Sequence, residues 1–137
     1  MIWSRFPGKT RCRLTYLDTH AVVWLYTGLT EKFSATAREY INRMELRISP
    51  IVRLELRYLN EIDRITDDAD TILGDLANRL GLAICDKDFN AVVGQAMAMS
   101  WTRDPFDRII TAQAGLDDSF LISGDKNILK YYPYARW

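Results

Sequence analysis

Leu14-Thr15-Tyr16-Leu17-Asp18-Thr19-His20-Ala21-Val22-Val23-Trp24-Leu25 is the stretch whose reading decides the fold. Its first four residues are short, apolar and rich in strand formers. From Ala21 onward the apolar residues Ala21, Val22, Trp24 and Leu25 follow a helical spacing, and Gly28 ends the run. Asp18 stands at the junction. A strand that turns directly into a helix opens a βα unit.

The remainder of the chain repeats that alternation. Ser34 is a capping hydroxyl for a helix over 35–45, and 46–48 is a brief strand. Ser49-Pro50 supplies a cap and then Pro at the first helical position, opening a helix to about residue 60. Its apolar stripe reads Ile51, Leu54, Tyr58 and Ile62. A helix over 68–79 stops at Gly81, a strand covers 82–85, and a small-residue helix covers 88–99. Asp104-Pro105 opens a helix that ends near Gly115, a fourth strand covers 120–123, and a short helix covers 126–131. Apolar strands alternating with helices predict an α/β domain whose parallel sheet is covered on both faces.

Composition narrows the class. Of 137 residues, 48% are hydrophobic and 26% charged, the balance of a single soluble domain. No apolar run approaches the roughly eighteen residues of a membrane span, so no membrane partner is expected. Cys12 and Cys85 fit neither a disulfide framework nor a metal spacing, and a reduced cytoplasmic setting is the simplest reading. With His20 the only histidine, a zinc site or a histidine triad has little material. Net charge is zero, but Arg5, Lys9, Arg11 and Arg13 all lie in the first thirteen residues, where there is no acid. The fourteen remaining bases face eighteen acids. The body therefore lacks the general basic footprint of a nucleic-acid binder. Residues 1–13 have no apolar core of a signal peptide and read as a flexible extension, with the domain proper over 14–137.

The acids carry the chemistry. Parallel sheets place ligands at the carboxyl ends of their strands, and Asp18 and Asp125 fall there. Each also has a purely structural explanation, Asp18 as a helix cap and Asp125 in a Ser-Gly-Asp turn. Asp104 is an ideal cap for the helix it precedes, and Asp107 suits the first-turn position favoured by the helix dipole. Glu55 is different. It lies too far into its helix to cap, among Ile51, Val52, Leu54, Leu56 and Leu59. If these segments converge, the carboxylates repel by roughly 4 kcal/mol per close pair at an effective dielectric near 20. A divalent cation removes that penalty, and an all-oxygen donor set selects Mg²⁺ or Mn²⁺. Such an ion suits phosphodiester hydrolysis.

The motif order resembles that of the PIN-domain nucleases, and among them the VapC-like toxins of toxin–antitoxin pairs. The resemblance rests on residues 16–25, on Ser49-Pro50-Ile51-Val52-Arg53-Leu54-Glu55-Leu56, on Arg103-Asp104-Pro105-Phe106-Asp107-Arg108 and its continuation to Ala114, and on Leu121-Ile122-Ser123-Gly124-Asp125. It implies that Asp18, Glu55, Asp107 and Asp125 are catalytic and bind metal, that Asp104 neighbours the metal, and that Thr19 and Ser123 support the carboxylates. It also implies a three-layer α/β/α sandwich around a mostly parallel sheet, an RNA substrate, a homodimer and a cognate antitoxin. Thr102 stands where the family often has His, and residues 1–13 have no family counterpart.

Two rival functions make different demands. A non-catalytic PIN-like module that binds RNA or protein predicts a degenerate acid set, whereas this set is complete. A receiver-like signalling domain predicts paired acids after the first strand, whereas Asp18 stands alone. Trp24, Tyr26, Leu54, Tyr58 and Leu59 are expected in the core; exposed together, they would instead mark a groove for an antitoxin helix.

Overall fold

The computed structural model describes residues 13–137. The expected extension lies outside the described residues except for Arg13. The Arg13 carbonyl accepts from the Glu45 N–H at 3.2 Å, and its guanidinium sits 5.0 Å from the Phe120 ring centroid.

The strands are β1 (Leu14–Leu17), β2 (Glu45–Ile48), β3 (Ala83–Ile84), β4 (Phe120–Ile122) and β5 (Ala135–Arg136). The helices are α1 (Thr19–Thr27), α2 (Ala35–Arg43), α3 (Pro50–Glu61), α4 (Ala69–Leu80), α5 (Phe89–Met97), α6 (Pro105–Gly115) and α7 (Lys126–Tyr131). All strand pairs are parallel, in the order β3-β2-β1-β4-β5. The fold is the expected three-layer α/β/α sandwich. Thr15, Tyr16 and Leu17 are all buried, so both faces of β1 are covered.

β1 is central. Tyr16 pairs with Arg47 on one side and with Leu121 on the other. The strand order reverses between β1 and β4, which opens a crevice at their carboxyl ends. The Asp18 N–H still reaches the Ile122 carbonyl at 3.2 Å, so Asp18 is tied to the sheet at the crevice floor. Gly28, at φ 76°, takes the left-handed conformation that closes α1 and turns the chain away.

The structure departs from the sequence reading in several places. The helix expected over 35–45 ends at Arg43, because Met44 is extended (φ −111°, ψ 161°) and Glu45 already pairs in β2. A fifth strand, β5, was not expected. The stripe on α3 faces outward: Leu54 is 57% exposed, Tyr58 48% and Ile62 42%, while Val52 and Leu56 point into the core. Trp24, Tyr26 and Leu59, also expected in the core, are only partly buried. The helix has two apolar stripes, and its packing against α4 and α6 chooses between them.

Candidate active site

Each sequence-predicted acid sits where its local structure holds it. Asp18 caps α1, its carboxylate accepting from the Ala21 N–H at 2.9 Å. Asp125 caps α7, accepting from the N–H groups of Asn127 at 2.9 Å and Ile128 at 3.0 Å. Asp104 caps α6 through Phe106 N–H at 2.9 Å and Asp107 N–H at 3.4 Å. Asp107 follows in the first turn of α6, and Glu55 projects from the middle of α3. All five line one cleft of about 130 Å³, together with Thr19, His20 and Ile110.

Larger hollows exist, but they lack this chemistry. A groove of about 470 Å³ holds Arg53 and Arg57 beside Asp68 and Asp70, and its charges pair off, Arg53 with Asp70 at 2.9 Å. Another, of about 450 Å³, is mostly apolar and lies along α4 and β3. Size therefore does not locate the site; convergent carboxylates do.

Two buried hydroxyls brace the acids. Thr19 Oγ1 donates to Glu55 Oε1 at 2.5 Å. Ser123 Oγ hydrogen-bonds the Asp18 carboxylate and accepts from the Asp125 N–H at 3.1 Å. Each hydroxyl thus links segments far apart in sequence.

The electrostatics are one-sided. Burial raises the Asp18 carboxyl above its ordinary range; Ser123, the Ala21 N–H and His20 oppose the rise, and Asp125 adds to it. Burial likewise raises Glu55, with Thr19 opposing and Asp104 adding like charge. Asp107 is the extreme case. Burial, then Asp104, Asp125, Glu55 and Asp18 all push it the same way, to about 7, and among the described residues no donor offsets them. Clustered acids that raise one another in a cleft are the signature of a functional site rather than of a stabilising network.

Sequence reasoning missed three contributors. His20 was set aside as the only histidine, yet its exposed ring lines the rim of the cleft. The overlooked signal is position: the cap and the first turn share the mouth of a helix, where side chains diverge little. Trp137 was read only as part of the chain end. Its ring lies 5.4 Å from Trp24 and 5.1 Å from Phe33. A Cβ on Gly124 would meet that ring at 3.4–3.5 Å, an ordinary van der Waals contact, so the Ser123–Asp125 loop lies close against the aromatic wall. The third is Gln113, wholly buried and bonded to Ser49. Arg103 and Arg108, which flank the start of α6, donate to the carbonyls of Ser100 and Met99, each at 2.8 Å.

The donor chemistry fits a hard divalent cation, since every polar group offered is a carboxylate or a hydroxyl apart from His20 at the rim. Among the described residues no three of His, Cys, Asp and Glu are spaced as a closed metal cluster. Four of the five carboxylates already spend an oxygen on a protein donor.

Solved structures share the architecture. VapBC2 from Rickettsia felis, bound to a DNA fragment from its promoter, matches 90% of this chain and 98% of its own at 15% identity and a TM-score of 0.63. A toxin–antitoxin complex from Klebsiella pneumoniae matches 90% and 96% at 16% identity and 0.62. DNA-bound VapBC from Salmonella typhimurium matches 90% and 96% at 20% identity and 0.58. No curated protein matches the chain. The family model for the PIN domain matches residues 15–132, a span that contains every acid of the cleft, and the chain therefore belongs to the PIN domain family.

Proposed function

We propose that this chain is an endoribonuclease that hydrolyses RNA phosphodiester bonds with Mg²⁺ or Mn²⁺, and that it is the toxin of a toxin–antitoxin pair. In this reading residues 14–137 form the catalytic domain, which works in the cytoplasm as a homodimer and is restrained by a cognate antitoxin. The observation that carries it is the convergence of Asp18, Glu55, Asp104, Asp107 and Asp125 on one cleft at the sheet's switch point. Membership of the PIN family, generally a nuclease family, supports the chemistry. The structural relatives named as toxin–antitoxin complexes support the pairing. The exposed Leu54, Tyr58 and Ile62 on α3 offer an apolar face suited to an antitoxin segment.

Asp18, Glu55, Asp107 and Asp125 would hold the cation, with Asp104 beside them. When bound, it supplies Lewis acidity toward the phosphoryl oxygens and neutralises the carboxylates. Thr19 and Ser123 orient Glu55 and Asp18. Asp107, poised near neutrality, is the group suited to accept a proton from the attacking water.

Expression of the chain alone should arrest growth, and co-expression of its antitoxin should relieve the arrest. The purified protein should cleave RNA in Mn²⁺ and lose activity in chelator. Absent Mn²⁺ binding, the non-catalytic binding module becomes the better account. Thr19→Val, which keeps shape and removes the donor, should weaken Mn²⁺ binding by about 10–100-fold while the protein stays folded, as measured by calorimetry.

A further inference from the structure

We infer that the buried Ser49–Gln113 hydrogen bond is a positioning device: it sets the register of α3 against α6 and so holds Glu55 opposite Asp107. The inference rests on the metal-site reading of those two acids. Ser49, the cap of α3, donates through Oγ to Gln113 Oε1 at 2.8 Å, and both residues are no more than 1% exposed. From that bond the two helices run in opposite directions. Three residues along each lie Val52 and Ile110, both in the core. Three further along lie Glu55 and Asp107, which share the cleft, Glu55 adding to the upward push on Asp107. Beyond them Tyr58 stacks on Phe106, with centroids 6.1 Å apart and planes 28° from parallel. The polar bond and the aromatic stack thus bracket the two acids.

Among the described residues this is the one side-chain hydrogen bond between the segments of α3 and α6. Apolar contacts such as Val52 with its neighbours tolerate sliding, whereas a buried hydrogen bond is lost when its partners part. A slip of one residue moves a helix by about 1.5 Å along its axis, enough to take Glu55 out of line with Asp107. Gln113 also carries a cost that stability does not explain. Among the described residues its Nε2 has no partner, and turning the amide over would only leave Oε1 unpaired instead. An apolar side chain of the same length would avoid this penalty. The neighbouring Lys87 fixes the same turn of α6 by donating to the Gln113 carbonyl at 3.2 Å.

The test compares wild type with Gln113→Met, Ser49→Ala, the double variant, Ser49→Thr and Asp107→Asn, each checked for cooperative melting. Mn²⁺ binding is read by calorimetry and RNA cleavage by its kcat and KM. Gln113→Met should weaken Mn²⁺ binding by about tenfold, lower kcat and leave KM for RNA unchanged. Ser49→Thr, which keeps the hydroxyl, should retain wild-type binding. The double variant should lose no more than the worse single, as partners in one interaction do. Additive losses, or a folded Gln113→Met with wild-type Mn²⁺ affinity, would overturn the register role. If Asp107→Asn also bound Mn²⁺ as wild type does, the metal-site reading itself would fall; if Asp107→Asn lost binding while Gln113→Met kept it, only the register inference would.

Discussion

Asp107→Asn should abolish cleavage and, at neutral pH without metal, make the protein more stable. Both effects have one source. Asp107 is pushed to about 7 by burial and by four neighbouring acids, and among the described residues no hydrogen bond offsets the rise. The folded state therefore keeps a proton that the unfolded chain, with an ordinary carboxyl near 3.8, gives up. That binding favours the fold fully below the ordinary value and is lost as pH rises through about 7. Asp18 and Glu55 are raised in the same direction, so the whole cleft works against the metal-free fold as pH rises. The wild-type melting temperature in chelator should fall between about pH 5 and pH 8, and Asp107→Asn should flatten the fall. Added Mn²⁺ should reverse it, by about 2.7 kcal/mol at a hundredfold excess over its dissociation constant, and more at the upper end of that range, where the acids are ionised. Loss of cleavage should exceed a thousandfold, about 4 kcal/mol of transition-state stabilisation. An Asp107→Asn protein that still cleaves RNA, or that melts earlier than wild type in chelator at about pH 8, would defeat this account.

Replacing Asp18 separates two jobs held by one side chain. Its carboxylate caps α1 through the Ala21 N–H and also faces the cleft. Asn is as good a cap as Asp, whereas Ala removes the cap at a cost of about 1 kcal/mol. Asp18→Asn should therefore melt near wild type yet lose cleavage as completely as Asp107→Asn. Asp18→Ala should lose cleavage and melt earlier as well. Were Asp18 only a cap, Asp18→Asn would remain active. The same contrast can be run at Asp104, where Asn preserves the cap to Phe106 and Asp107 and isolates any direct part in binding metal.

The fold was legible wherever local and long-range signals agreed. Ser49-Pro50 and Asp104-Pro105 start helices through cap chemistry that depends on no tertiary contact, and both helices begin there. β5 was not legible: two residues at a sheet edge carry no periodicity, and only pairing with β4 makes Ala135 and Arg136 a strand. α3 was legible as a helix but not as a face. Its apolar residues fit two stripes, and contacts from α4 and α6 decide which is buried. Among the acids, Glu55 stood out because no cap could account for it, and the structure brings it into the cleft with Thr19 as its donor. The role of Gln113 was hidden because a glutamine late in a helix has the same sequence signature on a surface as in a core.

The pairing of Thr15 with Phe120 has a consequence in time. The floor of the cleft is laid down near the start of the described chain, but the strand that completes it and the helix that presents Asp125 come from near its end. At ordinary rates of synthesis roughly 5–20 s separate the emergence of the two halves. During that interval Asp18 has neither Ser123 nor Asp125 beside it. Until those last strands have docked, the chain therefore holds no assembled acid cluster.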